Sequence, residues 1–312
     1  MQDERREFMK YSKTHIKINA YIILGDNMKL GLSLSGGGVK GAAHIGVLKA
    51  LEEENIKIDS IAGTSSGSIV ASLYAMGFSS DEIYTIFKKY CKKIKYVDLW
   101  NVIKLIYGLI FKRKIIIDEL NSGKEIEKLI NDIAENKNIQ DISEIHFPLV
   151  IPSVNMYNGK VTCFTSYKNE KRYLSNTIFV NHIHIGKAVR ASCSYPVVFS
   201  PCEFNHTSLI DGGIRENTPW RELKEIGTDK VISVVFREKF DKDCCMNMID
   251  VATRSIGLLS NELSNYEWDG TDYLLEIYTE KIGLLDMDKI EELYEIGYET
   301  AKKQIKEIKE KK

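Results

Sequence analysis

Apolar residues in the first part of the chain alternate between the spacing of a strand and that of a helix. Residues 29–35 (KLGLSLS) have a period of two, and after a glycine-rich turn the residues 42–55 place apolar side chains at helical spacing. A second apolar run at 56–62 indicates a strand, and 68–76 a second helix. This strand-helix-strand-helix order predicts an α/β fold with a mostly parallel central sheet and helices on both faces.

Further elements follow with weaker patterns. The sequence predicts helices at 79–90, 124–135 and 286–312, and strands at 147–154, 160–166 and 230–236. An Asn158-Gly159 pair between two of these strands is typical of a hairpin turn. No internal repeat or linker interrupts the pattern, so we expect residues 29–312 to form one domain with a C-terminal helix. Residues 1–28 have mixed charge and little periodicity and are interpreted as an N-terminal appendage.

The composition is that of a globular protein, with 312 residues of which 44% are hydrophobic. The 43 Lys and Arg nearly balance the 44 Asp and Glu, so we expect no nucleic-acid partner. The six cysteines have neither C-x-x-C pairs nor zinc-finger spacing, which predicts reduced thiols and no metal. The charged N-terminus and the short apolar stretch at 20–24 predict a cytoplasmic protein without a signal peptide, at most peripheral to a membrane.

One pentapeptide, Gly63-Thr64-Ser65-Ser66-Gly67, lies between the second strand and the second helix. A G-x-S-x-G sequence at such a junction is the nucleophile-elbow arrangement, in which the serine occupies a strained turn with its hydroxyl exposed above the sheet. Gly63 and Gly67 fit this turn because strand and helix would pack too closely there for a Cβ. The N-terminus of the following helix favours an anion beside Ser65. The sequence predicts Ser65 as a nucleophile, with a plain Gly/Ser loop as the alternative.

A glycine loop joins the first strand to the first helix. Its residues are Gly36, Gly37, Gly38, Val39, Lys40 and Gly41. The glycine spacing also matches the dinucleotide-binding fingerprint, but the second strand ends in the serine pentapeptide where that fold needs an acidic residue for the ribose. A P-loop is excluded because Ala42 stands where the lysine should be. We therefore interpret the loop as a set of backbone amides that stabilise a transient anion, the oxyanion of acyl transfer.

Together, the glycine loop, the helix sequence AHIGVLKAL and the G-T-S-S-G pentapeptide resemble the bacterial patatin-like phospholipase family. Residues 187–201 (KAVRASCSYPVVFSP) are similar to the family's R-A-S-x-x-x-P-x-x-F-x-P segment. Asp211-Gly212-Gly213 and Asn217-x-Pro219 match its later motifs. The similarity covers about residues 29–236 in the right order, and Ser35 departs from the aspartate of the plant-type pattern. The resemblance implies a three-layer patatin-like fold.

Acyl transfer needs a nucleophile, a base and donors for the oxyanion. Ser65 and the glycine loop supply the first and the third, and Asp211, which precedes two glycines, is the candidate base. The resemblance implies a Ser-Asp dyad without histidine. The six histidines leave a triad open, and His206 lies nearest to Asp211 in sequence. His44 is interpreted as a packing or polar-support residue, and Arg190 as a structural arginine that covers helix ends.

These features predict a serine lipid acyl hydrolase that cleaves acyl esters of phospholipids or lysophospholipids and needs no cofactor. Two alternatives remain: a thioesterase or short-chain esterase on soluble substrates, and a non-catalytic nucleotide-binding or regulatory protein that holds a phosphate in the glycine loop. Residues 86–117 carry nine Lys and Arg against one acidic residue, Asp98, a local charge of +8, among aromatic and aliphatic side chains. That pattern is typical of a segment lying on anionic lipid, or of a core helix with a solvated basic face.

Overall fold

The computed structural model describes residues 28–91, 122–168, 174–237, 248–279, 282–283 and 286–310. Its strands are β1 (Leu30–Leu34), β2 (Ser60–Gly63), β3 (Leu149–Asn155), β4 (Val161–Thr165), β5 (Thr177–Val180), β6 (Cys202–Phe204), β7 (Thr207–Asp211), β8 (Lys230–Arg237) and β9 (Tyr273–Tyr278). Its α-helices are α1 (Gly41–Glu53), α2 (Ser66–Ala75), α3 (Ser80–Cys91), α4 (Lys124–Glu135), α5 (Ile185–Ser192), α6 (Trp220–Glu225), α7 (Met248–Glu267) and α8 (Ile290–Glu310). Residues 1–27 of the predicted appendage and 92–117 of the predicted basic segment lie outside the described residues.

The described strands form one nine-stranded sheet in the order β5-β4-β3-β2-β1-β8-β9, with the β6-β7 hairpin attached to β3. The run from β3 through β2, β1 and β8 to β9 is parallel throughout, whereas β4 and β7 pair antiparallel with β3. The predicted α/β class with a mostly parallel sheet is confirmed. Because β1 and β2 are parallel neighbours, the glycine loop and the G-T-S-S-G pentapeptide, which follow them, lie at the same edge of the sheet.

Alternate residues of each central strand point to opposite faces of the sheet. On one face Leu32 and Ile61 belong to a large buried core that includes side chains of α1 to α5 and α8. On the other face Ala62 and Val150 join a smaller core with Leu223 of α6. Helices therefore lie on both faces, as the sequence predicted.

The helix α8 crosses α1 with the two backbones in close contact. A Cβ at Gly46 of α1 would lie 2.1 Å from the Tyr294 carbonyl oxygen, and a Cβ at Gly297 of α8 would lie 2.0 Å from the Ala43 carbonyl oxygen. Only glycine fits at these two positions. The C-terminal helix thus packs directly on the first helix of the fold. Among the helices of the described ranges, none is both long enough and apolar enough to cross a membrane.

Several predicted elements correspond closely to observed ones. The helix predicted at 124–135 is α4, and the predicted hairpin is β3 and β4, which pair Val154 with Val161. The second strand is shorter than predicted: β2 begins at Ser60, because the preceding residues close the turn after α1, where the Ile56 N–H donates to the Leu51 carbonyl oxygen at 2.9 Å. α7 and β9 lie in a stretch for which the sequence predicted no element.

The two edges of β3 determine where the candidate nucleophile and the candidate base meet. β4 pairs along one edge, from Val150 to Val154, so β2 and β7 share the other. On that edge β2 pairs with Leu149 and Val150, while β7 arrives from the opposite direction and pairs Asp211 with Ser153. The ends of β2 and β7 therefore approach each other, which brings the pentapeptide and Asp211 together.

Candidate active site

The G-T-S-S-G pentapeptide forms a sharp turn between β2 and α2. Ser65 directly precedes α2 and has φ 52° and ψ −123°, a backbone conformation that is unfavourable for a residue with a Cβ. A Cβ at Gly63 would lie 2.2 Å from the Gly67 carbonyl oxygen, and a Cβ at Gly67 would lie 2.5 Å from the Leu34 carbonyl oxygen. Glycine at both positions lets strand and helix pack closely enough to hold Ser65 in this conformation.

Hydrogen bonds fix the Ser65 backbone on both sides. Its N–H donates to Ser192 Oγ at 3.0 Å, and its carbonyl oxygen accepts from Ser68 Oγ at 2.6 Å. Ser65 is partly exposed, whereas its neighbours Thr64 and Ser66 are buried. The turn is therefore supported by α5, which ends at Ser192, and presents only one of its three hydroxyl side chains to the site.

Asp211 is the last residue of β7, and its side chain is almost fully buried. Oδ1 accepts the Gly213 N–H at 2.8 Å, while Oδ2 has no hydrogen-bond partner within the described residues. Burial raises the pKa of Asp211 to about 7, against the opposing effects of the Ser65 hydroxyl and the Gly213 N–H. A carboxyl group with this pKa can take up and release a proton near neutral pH.

Ser65 and Asp211 are close neighbours in this site. The Ser65 hydroxyl favours the charged form of Asp211, although Oδ2 receives no hydrogen bond of standard geometry from the residues described. Catalytic hydrogen bonds are often long before substrate binds. The Cys193 thiol lies beside both residues: burial and the Asp211 charge raise its pKa, while hydroxyls of Ser68 and Ser65 lower it. Burial dominates, so the thiol stays protonated and chemically inert.

The glycine loop follows β1 and enters α1 through a short 3-10 turn. Three of its amides already have acceptors, namely Gly36 (Asn217 Oδ1, 3.0 Å), Lys40 (Gly37 carbonyl, 3.2 Å) and Gly41 (Gly38 and Val39 carbonyls). For the amides of Gly37, Gly38 and Val39 no acceptor is found in the described part of the chain. These three amides can donate to a ligand without breaking an existing hydrogen bond. The other three of the six predicted donors could not.

His44 supports the start of the glycine loop. Its Nε2 lies 2.7 Å from the Ser35 carbonyl oxygen, and its ring centroid lies 4.6 Å from that of Phe236. Burial lowers the pKa of His44 to about 4, and the hydrogen bond to Ser35 offsets only part of this effect. The imidazole is therefore neutral at pH 7, with the proton on Nε2, because a carbonyl oxygen can only accept. This agrees with the interpretation of His44 as polar support.

The structure also shows where two further candidates of the sequence analysis, His206 and Arg190, lie. His206 is exposed at the turn of the β6-β7 hairpin, whereas Asp211 is the last residue of β7 (Thr207–Asp211). Five residue steps of extended chain, roughly 16 Å, therefore separate the two residues. A triad through His206 does not fit this geometry. Arg190 is structural, as predicted: its Nε donates to the Ser122 carbonyl oxygen at 3.0 Å and its NH1 pairs with Glu127 at 3.1 Å.

A group of buried carboxyl groups lies near the glycine loop. Burial raises the pKa of Glu222 and of Glu267 to about 7. Burial also raises the pKa of Glu216, and the charges of Glu222 and Glu267 add to this effect, while Arg221 opposes it. Glu267 Oε2 accepts the Asn217 N–H at 3.2 Å. Nothing in the sequence distinguishes these glutamates from surface residues. Within the described ranges, no cluster of His, Cys, Asp and Glu has the arrangement of a metal site.

Ser192 and Asn217 entered the sequence analysis only as parts of matching motifs. In the structure, Ser192 accepts the Ser65 N–H and Asn217 accepts the Gly36 N–H. Their motifs, R-A-S and N-x-P, are the signal that could have drawn attention to them. The hydrogen bonds themselves join residues more than 100 positions apart, so no local pattern predicts them.

Comparisons with known proteins agree with one another. The family model for patatin-like phospholipases matches residues 32–224. A lysophospholipase NTE1 from Candida albicans is 30% identical over 208 residues, 67% of this chain but 13% of that protein. The uncharacterized protein R571 of Acanthamoeba polyphaga mimivirus is 30% identical over 296 residues, 88% of this chain and 93% of that protein. The similarity thus extends to fungal and viral proteins, and the chain spans only a small part of the fungal ones.

Among solved structures, VipD from Legionella pneumophila has a similar fold. Its TM-score is 0.50 at 15% identity, and the match covers 90% of this chain and 67% of that chain. At this identity the likeness concerns the fold alone.

Proposed function

Because the chain belongs to the family of patatin-like phospholipases, we propose that it hydrolyses acyl esters of phospholipids or lysophospholipids. One observation carries the proposal: Ser65, held in a strained turn, lies beside the buried carboxyl group of Asp211, one oxygen of which has no hydrogen-bond partner among the described residues. The name of the fungal relative, lysophospholipase, supports a lipid ester as substrate.

In the proposed reaction Asp211 is the general base. It takes the proton of Ser65 Oγ as this oxygen attacks the acyl carbonyl carbon and forms a tetrahedral oxyanion. The oxyanion collapses, the ester C–O bond breaks, and the leaving alcohol takes the proton from Asp211. Water, activated by Asp211 in turn, attacks the acyl-enzyme and releases the fatty acid and Ser65. The second half of the reaction restores the starting protonation state.

The oxyanion would be stabilised by the amides of Gly37, Gly38 and Val39. Fixed backbone donors need no reorganisation when charge develops, and removing one such donor typically lowers kcat by about 10²–10³-fold. The N-terminus of α2, directly after Ser65, adds a favourable dipole for the same negative charge.

Labelling with a fluorophosphonate probe tests the chemistry. We expect one adduct, on Ser65, which is lost in Ser65→Ala. Asp211→Asn should reduce activity almost as far, because it keeps the side-chain shape and removes the proton acceptor, whereas His206→Ala should have little effect. Residual activity of Ser65→Ala within tenfold of the wild type would refute the proposal. A loss in His206→Ala as large as that in Ser65→Ala would require a histidine base.

The substrate class needs a separate test, since a thioesterase or short-chain esterase could use the same dyad. We propose comparing phospholipid and lysophospholipid in vesicles or micelles with a soluble short-chain ester and a soluble thioester. A lipid hydrolase should turn over lipid faster when it is presented at an interface. Equal rates with and without the interface would favour the soluble alternative.

We also propose that 86–117 makes peripheral contact with anionic membrane. Only its first residues, at the end of α3, are described, and there Lys88 pairs with Glu291 of α8. Each lysine near an anionic surface adds about 1 kcal/mol of attraction that salt screens. Changing Lys112, Arg113 and Lys114 to glutamate should weaken sedimentation with anionic vesicles and leave soluble-ester hydrolysis nearly unchanged. If the variant binds vesicles at low salt as well as the wild type does, the result would favour the alternative, a core helix with a solvated basic face.

A further inference from the structure

One amide side chain connects three parts of the active-site edge. Asn217 lies in the connection between Asp211 and α6. Its Oδ1 accepts the Gly36 N–H at 3.0 Å, and its Nδ2 donates to Ser264 Oγ of α7 at 3.3 Å. Its own backbone N–H donates to Glu267 Oε2, also of α7, at 3.2 Å. Asn217 therefore makes two hydrogen bonds to α7, while its side-chain oxygen Oδ1 faces the glycine loop.

The oxygen of this amide lies close to two glycines of the site, Gly36 and Gly213. A Cβ at Gly36 would lie 2.9 Å from Asn217 Oδ1 and 3.1 Å from the Ser65 Cβ. A Cβ at Gly213 would lie 3.1 Å from Asn217 Oδ1 and 3.1 Å from Asp211 Oδ1. The same oxygen thus borders both the glycine loop next to the nucleophile and the turn next to the base.

The orientation of the amide is determined by its partners. The Gly36 N–H can only donate, so the oxygen of Asn217 must face the loop and the nitrogen must face Ser264. Three consecutive glycines have high backbone freedom, and a loop made of them keeps one conformation only if something fixes it. The hydrogen bond to Asn217 fixes the first of these glycines, and the amides of the next two follow directly in the chain.

We propose that Asn217 is a positioning residue for the hydrolysis: by holding Gly36, it aims the amides of Gly37 and Gly38 at the oxyanion. This inference rests on the proposed function. Asn217 itself does not touch the reacting atoms. Its effect should therefore fall on the transition state, in which the oxyanion develops, more than on substrate binding. A misplacement of about 1 Å in an active site can lower the rate about 10²-fold.

The test compares two hydrogen bonds of the same side chain. Asn217→Leu keeps the approximate volume and removes both side-chain hydrogen bonds, to Gly36 and to Ser264, whereas Ser264→Ala removes only the second. Each variant is assayed with a soluble p-nitrophenyl ester, and kcat is expressed per Ser65 labelled to completion by a fluorophosphonate. We expect Asn217→Leu to lower kcat per labelled serine about 10- to 100-fold with KM changed less than about threefold. Ser264→Ala should stay within about twofold of the wild type.

The outcomes separate this inference from the proposed function. Absence of labelling in the wild type would refute the function itself. Normal wild-type labelling with kcat of Asn217→Leu within twofold of wild type would refute only the role of Asn217, as would an equal loss in Ser264→Ala. If Asn217→Leu does not fold, Asn217→Ala removes the same acceptor without apolar bulk beside Glu267. Failure of both to fold would also overturn the inference, because Asn217 would then be a residue of the fold.

Discussion

The pH dependence of hydrolysis tests the role of Asp211 most directly. Burial raises its pKa from the ordinary value of 3.8 to about 7, which corresponds to roughly 4 kcal/mol of differential interaction between the two protonation states. A general base acts only when it is ionised. With a pKa of about 7, about a tenth of the Asp211 carboxyl groups would be ionised at pH 6 and about nine tenths at pH 8. We therefore expect kcat/KM to rise about tenfold between these pH values.

The measurement uses a soluble p-nitrophenyl ester, so that pH effects on a lipid interface do not enter. Four other groups need consideration. Glu222 and Glu267 also have pKa values of about 7, so Glu222→Gln is a matched control and should keep the inflection. His206→Ala should keep it as well. His44, with its pKa lowered to about 4, does not change charge in this range.

Two results would refute this reasoning. A kcat/KM that stays constant from pH 6 to 8 would mean that no group of this pKa controls the reaction. If the inflection of kcat/KM disappears in Glu222→Gln or in His206→Ala, the rise between pH 6 and 8 would belong to the substituted residue and not to Asp211. Only an inflection that survives both substitutions supports Asp211 as the base.

Three further predictions concern the structure around the site. Gly46→Ala should destabilise the fold by about 1–3 kcal/mol through overpacking against α8. Gly257→Ala, whose new Cβ meets no other element within 4 Å among the described residues, should stabilise α7 by up to about 1 kcal/mol. Denaturant unfolding that gives both changes the same sign would contradict this. Ser192→Ala removes the acceptor of the Ser65 N–H and should slow fluorophosphonate labelling about tenfold, for a bond of about 1 kcal/mol or somewhat more; an unchanged rate would mean that the elbow needs no such support. The pKa of Glu222 is raised from 4.5 to about 7 in the folded state, so its contribution to stability is lost as pH rises from about 4.5 to about 7. Glu222→Gln should therefore reduce the fall of the thermal unfolding midpoint over this pH range. An equal fall in the variant and the wild type would mean that another group takes up the proton.

The sequence alone determined the features that depend on local sterics. G-T-S-S-G predicts an elbow because a strained serine between strand and helix needs Gly63 and Gly67, and the structure has backbone oxygens within 2.5 Å of both missing Cβ positions. Helical periodicity located α4, which buries Ile126, Ile130 and Ala134 along one side. The β3-β4 hairpin was located by two strand-like runs that flank Asn158-Gly159, because a turn pair is also a local signal. The chain order of the motifs was sufficient to indicate the family.

Only the tertiary structure decided which residues meet. β7 shares an edge of β3 with β2, and this pairing, which brings Asp211 to Ser65, joins segments far apart in the chain. His206 is closer to Asp211 in sequence than Ser65 is, but it lies at the opposite end of the extended strand β7. The Gly36 N–H has an acceptor in Asn217, 181 positions away. Lys40 and Gly41 also have acceptors, so among the described residues three of the six amides of the glycine loop are free to bind a ligand. Such contacts depend on strand register and on burial across the whole sheet, and the spacing of residues along the chain does not predict them.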